Sequence, residues 1–161
     1  MQTDEDKQIQ KNLEKPGNGL PTIDALFLRY IGFPILKLLM SWDRGMKLFE
    51  HEGNKILNAV KSLDDESLFK KVLIPRTFGI EDSSRYYSPA MVLWHLIYVG
   101  NAIQEGIISL SNNEALDFVV KIENFKPFVE IDKNIVNEFE LFLNSYRIRI
   151  ESNVKDKYIR N

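Results

Sequence analysis

Only a few side chains in this chain could bind a metal ion or move protons near neutral pH. The 161 residues hold two histidines, His51 and His95, and no cysteine. Disulfide frameworks, thiolate metal sites and cysteine nucleophiles are therefore excluded. An imidazole titrates close to neutrality and, when neutral, is a common metal ligand. His95 lies in SRYYSPAMVLWHLIYVGNAI, Ser84 to Ile103, amid Met, Val, Leu, Ile and Trp. A ring in such company is either a core residue satisfied by a hydrogen bond or water, or one ligand of a site whose other members lie elsewhere. His51 stands between Glu50 and Glu52. Its default reading is a solvated histidine. The carboxylates near enough in sequence to complete a site with His95 are Glu81 and Asp82, just upstream, and Glu105, ten residues downstream.

The elements that must position these groups read as helices. Ser88 followed by Pro89 is a strong helix start: the hydroxyl can cap an orphan N–H, and proline suits the first helical position. The helix is expected to run to about Leu110, with Tyr98, Asn101 and Glu105 as its polar stripe. On that reading His95 shares an inward face with Met91, Val99, Ala102 and Gly106, the small residues leaving room between helices. Before it, from Ser41, Met46, Phe49, Gly53, Ile56, Val60 and Leu63 recur at spacings of three and four, a core-facing stripe with His51 roughly opposite. A last strong helix is expected near Asp132, its stripe being Ile135, Phe139, Phe142, Leu143, Tyr146 and Ile150. Between the two later helices, SNNEALDFVVKIENFKPFVEID has a short β-like run at 118–122 and a break at Pro127, and reads as an irregular crossover. The loop KKVLIPRTFGIEDSSRYY, with Pro75 and Gly79, is long enough for a functional role.

Residues 1–20 are polar and close on Pro16, Gly17, Asn18 and Gly19, the composition of a disordered tail. They lack the basic start and apolar core of a secretory signal. Residues 21–40 form an apolar N-terminal helix in which Arg29 and Lys37 fall within about 80° on a helical wheel. The run is shorter than the roughly 20 apolar residues a bilayer span needs, and it contains Pro34. It is expected to pack on the domain, with peripheral contact at a membrane interface as the alternative. The remaining residues, 41–161, make the helical domain. Ordinary hydrophobic content, 44%, and a net charge of -2 describe a globular chain without the basic footprint of a nucleic-acid binder. No glycine-rich phosphate loop, Ser-His-Asp spacing or paired-carboxylate motif is present.

Three amphipathic helices and a long crossover predict an all-α bundle. The block GIEDSSRYYSPAMVLWHL, with the loop before it and the FKP element after it, resembles the DinB-like superfamily of four-helix bundles over roughly Trp42 to Ile150. The likeness rests on a Ser-capped helix with an inward histidine seven residues after the cap. It implies a divalent-metal-dependent transferase or hydrolase whose nickel or zinc is held by one histidine on this helix and two more, as HxxxH, on the last. His95 matches the first. No histidine follows it. Three protein ligands plus an open position are the usual catalytic arrangement for zinc, so His95 alone is one member of an incomplete triad. The expectation is thus a DinB-like bundle, incomplete and inactive as it stands, cytoplasmic or membrane-associated, without a cofactor unless a nickel or zinc site is completed by other groups. The alternative is a non-enzymatic module that binds a partner or a membrane surface. Its means would be residues 22–40 or an apolar groove left by the missing helix, the groove being filled by residues 22–40 folding back, by a fourth helix or by a second copy in a homodimer.

Overall fold

The computed structural model describes residues 4–15, 17–115 and 131–154. The architecture is all-α. Three long helices form its body: α4 (Trp42–Lys61), α6 (Pro89–Ser111) and α7 (Ile135–Asn153). Shorter helices α1 (Asp4–Asn12), α2 (Thr22–Phe27), α3 (Phe33–Leu39) and α5 (Asp65–Phe69) flank them, with a two-stranded antiparallel pair, β1 (Val72–Leu73) and β2 (Tyr86–Tyr87). The expected crossover and its β-like run lie outside the described residues.

Local chemistry fixes the helix starts. Ser41 Oγ accepts the Arg44 N–H, Asp64 that of Ser67, and Ser88 that of Met91 at 3.2 Å with Pro89 behind it. Each cap satisfies a donor the first helical turn would otherwise leave open. Helix α7 is central, packing on both α6 and α4. Its buried row is Ile135, Phe139, Phe142, Tyr146 and Ile150, at spacings of four, three, four and four. Around Phe142 the rings are dense: Phe49 stacks on Tyr146 at 4.2 Å between centroids, and Tyr146 meets Phe142 edge-on at 5.2 Å.

Two glycines let the helices approach. A β-carbon at Gly100 of α6 would stand 2.3 Å from Phe142 Cζ, and one at Gly53 of α4 would stand 2.4 Å from Leu143 Cδ2. The expected spacers Ala102 and Gly106 are therefore not the ones used on this face. The buried row of α6 is Ala90, Leu93 and Gln104. Gln104 is 2% exposed, and its Nε2 donates to the Tyr146 carbonyl at 2.9 Å, so its polarity is met inside the core. In α4, Met46, Gly53, Leu57 and Val60 are buried, while Leu63, expected in the stripe, is exposed.

Two further expectations are corrected. The tail read as disordered carries helix α1, and the chain after it is held by side chains more than sixty residues away. Residues 22–39 do form one helical run, but among the described residues its contacts to the domain that the structure shows are with the loop, Asp24 with Gly79 and Phe27 with Phe78, and α2, a wider π-turn at Leu28–Gly32 and α3 contain no buried residue. Ile23 is 80% exposed and Leu38 84%. The π-turn has a local cause, because Pro34 lacks an N–H and its ring would clash with the carbonyl of Tyr30 in a regular α-helix. Among the described residues no helix is long and apolar enough to cross a membrane.

Candidate functional site around His95

Helix α6 has two covered sides. Its buried row faces α7. His95 lies about 180° from the centre of that row at 100° per residue, so it looks away from the core rather than into it. It is half-buried and joins Val92 in one wall of a pocket of about 450 Å3. Tyr87 of β2 and Ile74, Ile80, Glu81 and Ser84 of the preceding loop form further walls. Gly19 and Leu20, from the N-terminal segment, complete it.

Carboxylates hold that segment in place. Glu81 Oε1 accepts the N–H of Gly17 at 3.1 Å and of Gly19 at 2.9 Å, while Oε2 accepts Ser83 Oγ at 2.7 Å. Gly17 and Gly19 have φ of +88° and +81°. This left-handed backbone turns both N–H groups toward one oxygen, an anion-holding nest that side chains with a β-carbon rarely enter. Asp82, 8% exposed, accepts the Glu14 N–H at 3.0 Å and Arg85 Nη1 at 2.7 Å. The Glu14 hydrogen bond first, and the Arg85 guanidinium second, hold the Asp82 carboxyl below the usual carboxylate range. A reciprocal bond runs the other way: Gly79 N–H donates to Asp24 Oδ2 at 3.0 Å, and beside it Phe27 meets Phe78 edge-on at 5.5 Å. Glu14, Gly17, Gly19 and Asp24 thus lace the N-terminal segment, as a strap, to the loop of residues 74–85.

A nickel or zinc site does not fit this donor set. Among the described residues no three His, Cys, Asp or Glu side chains come together as ligands. Glu81 shares the pocket with His95, but its oxygens carry the strap and Ser83. Asp82 is engaged by Glu14 and Arg85. Glu105 is paired with Arg149 on α7. His51 is exposed on α4, 3.8 Å from Glu52, and takes no part. The arrangement can instead enclose a small molecule, since pockets of roughly 300–1,000 Å3 with mostly apolar walls and a few polar groups are typical of ligand sites. Sequence reasoning missed Tyr87, Val92, Gly19 and Leu20 as wall residues. The only sequence signal for the strap was the Gly-Asn-Gly turn. Comparison with family models, with curated proteins and with solved structures finds no match.

Proposed function

We propose that this chain is a non-enzymatic helical module, built on a DinB-like bundle, that attaches to an anionic membrane surface through residues 22–40 and the adjoining loop. One observation carries the reading: a run rich in Leu, Ile and Phe stands clear of the bundle, with none of its residues buried. Sinking about six such half-exposed side chains into a lipid interface, at ~1.5–3 kcal/mol for full burial of each, stabilises attachment by on the order of 5 kcal/mol. A short apolar helix needs a second signal for firm anchoring. The loop supplies it. Phe78 continues the apolar surface through its contact with Phe27, and Lys70, Lys71 and Arg76 are the basic residues of the same KKVLIPRTF stretch. With Arg29 and Lys37 on the helix, these charges complement anionic headgroups.

Co-sedimentation with vesicles containing phosphatidylserine, against neutral vesicles, tests the proposal. The intact chain should pellet with the anionic vesicles, less so at high salt, and Leu26→Asp with Ile31→Asp should leave it in the supernatant. Both positions are exposed, so folding should be retained. An intact chain that stays in the supernatant overturns the reading. A dimer in solution that the same substitutions dissociate would assign the helix to a second copy of the chain instead.

A further inference from the structure

We infer that Asn18 is a deamidation site gated by the strap: its conversion to aspartate or isoaspartate needs the strap to open, and then keeps it from closing as before. The reaction depends on the strap alone, and only its effect on attachment rests on the membrane reading. Asn18 and Gly19 form the one Asn-Gly step in the chain, and Asn18 is exposed. Asparagine is most prone to this reaction before glycine, which has no side chain to hinder attack by its own backbone nitrogen. Gly19 N bonds to Asn18 Cγ, the Cγ–Nδ2 bond breaks, and Nδ2 leaves as ammonia with the proton that Gly19 gives up. Water then opens the cyclic imide, its hydroxyl adding to one carbonyl carbon and its proton returning to the nitrogen. Opening at the side-chain carbonyl gives aspartate. Opening at the main-chain carbonyl gives isoaspartate, in which the chain runs through the former side chain.

The docked strap blocks the first step. The Gly19 N–H that must be given up donates to Glu81 Oε1 at 2.9 Å, and the imide nitrogen carries no hydrogen with which to keep that bond. Gly17 N–H shares the same oxygen at 3.1 Å, and the positive φ at both glycines aims the two donors there. Asn18 is held between them, its own N–H donating to the Lys15 carbonyl at 3.2 Å. Attack therefore proceeds from the open strap, and the folded chain reacts at the unfolded-chain rate multiplied by the fraction of time the strap is open. The products do not suit the closed strap. Isoaspartate adds a methylene to the main chain between the two donors, so they no longer converge on one oxygen. Either product also sets a new carboxylate one residue from each N–H that Glu81 receives, where like charges repel. Because the ammonia is lost to solvent, each event is one-way and marks an opening of the strap from which the apolar helix departs.

The test incubates the whole chain in mildly alkaline buffer, reading deamidation at Asn18 by peptide mass spectrometry and exchange of the Gly19 N–H by NMR. The same chain unfolded in urea gives the unhindered rate. The folded chain should deamidate at least tenfold more slowly, and the slowing should match the exchange protection of Gly19 within about threefold, because one opening serves both. Glu81→Gln, which removes the charge from the acceptor, should speed deamidation and exchange together. Asn18→Ser cannot react and should leave protection at Gly17 and Gly19 unchanged, whereas Asn18→Asp, one of the products, should reduce it. The gate is overturned if folded and unfolded chains deamidate equally fast, or if Glu81→Gln speeds exchange without deamidation. The block to reclosing is overturned if aged, deamidated protein keeps the protection of fresh protein at Gly17 and Gly19. Co-sedimentation of aged against fresh chain with phosphatidylserine vesicles then reads the consequence: weaker pelleting after ageing ties attachment to the strap, and equal pelleting overturns that link. A fresh chain that never pellets would sink the membrane reading and leave the gated deamidation standing.

Discussion

Replacing Gly100 with alanine tests the closest approach in the bundle. The new methyl group would sit 2.3 Å from Phe142 Cζ, 3.0 Å from Cε2 and 3.3 Å from Cε1. Carbon atoms in good contact lie roughly 3.5–4.0 Å apart, so the ring or the helix must move by more than 1 Å. Phe142 has little freedom to yield, with Phe49, Phe139 and Tyr146 all within 6.2 Å between ring centroids. Overpacking of this kind costs ~1–3 kcal/mol, and the clash places it at the upper end. Alanine returns about 1 kcal/mol through helix propensity. The net loss is about 2 kcal/mol, or roughly 4–8 °C in melting temperature for a domain of this size. Gly53→Ala is the internal control. Its clash is with the end of the flexible, half-buried Leu143, which can change rotamer, so loss and gain should nearly cancel. Urea unfolding followed by circular dichroism measures both, and adding Phe142→Leu to Gly100→Ala should recover part of the loss as a coupling above about 0.5 kcal/mol. A Gly100→Ala protein as stable as the parent, or more so, would refute the packing of α6 on α7.

Asp82→Asn removes the charge that receives Glu14 and Arg85, and hydrogen bonds to charged groups are worth ~1.5–3 kcal/mol. Amide exchange at Glu14, Gly17 and Gly19 should accelerate, and unchanged protection there would separate Asp82 from the strap. Acid should act similarly. Because the folded Asp82 carboxyl lies below its ordinary value, its contribution is present above about pH 3.9, the usual aspartate value, and is lost as the pH falls through the depressed one. Exchange at Glu14 should rise in that range. Nickel or zinc should leave the melting temperature unchanged, in contrast to the ~2.7 kcal/mol expected at a hundredfold excess over a dissociation constant. A metal-dependent rise that His95→Ala abolishes would show ligands that the fold does not bring to His95.

What the sequence made legible was local. The cap of α6 follows from Ser88-Pro89 and the buried row of α7 from its spacing, and both helices form where the sequence predicts, although α7 starts at Ile135 behind Asn134, with no side-chain cap there, rather than at Asp132. The facing of α6 did not follow. Gln104 carries no apolar signal, yet it is buried because the Tyr146 carbonyl accepts from it. With Tyr98, Asn101 and Glu105 taken as the outside, the small-residue face of Ala102 and Gly106 was read as inward and His95 with it. The strap was illegible for another reason. Glu14 and Asp82 are 68 residues apart, and a polar tail looks disordered until a buried carboxylate is found to receive its backbone. The apolar run of residues 22–40 announces a need for burial but not what provides it, and packing on the nearest core is the expectation that its exposure removes.

The two acidic residues that looked like spare metal ligands explain why His95 sits in a pocket at all. A carboxylate beside a lone imidazole can complete a metal site only if its oxygens are available to the ion. Glu81 instead accepts two backbone N–H groups from the strap, and Asp82 a third, so the charge that could have recruited a cation organises backbone. That use has a geometric product. By fixing Gly19 and Leu20 beside Val92 and His95, it turns one flank of α6 into a half-open, mostly apolar pocket. It also sets the direction in which the chain leaves toward Thr22, where the exposed helix begins. The same hydrogen bonds therefore occupy the acidic residues just upstream of His95, build the pocket and root the apolar helix. A substitution that frees the strap should open the pocket and weaken vesicle attachment together, while leaving the α6–α7 core intact.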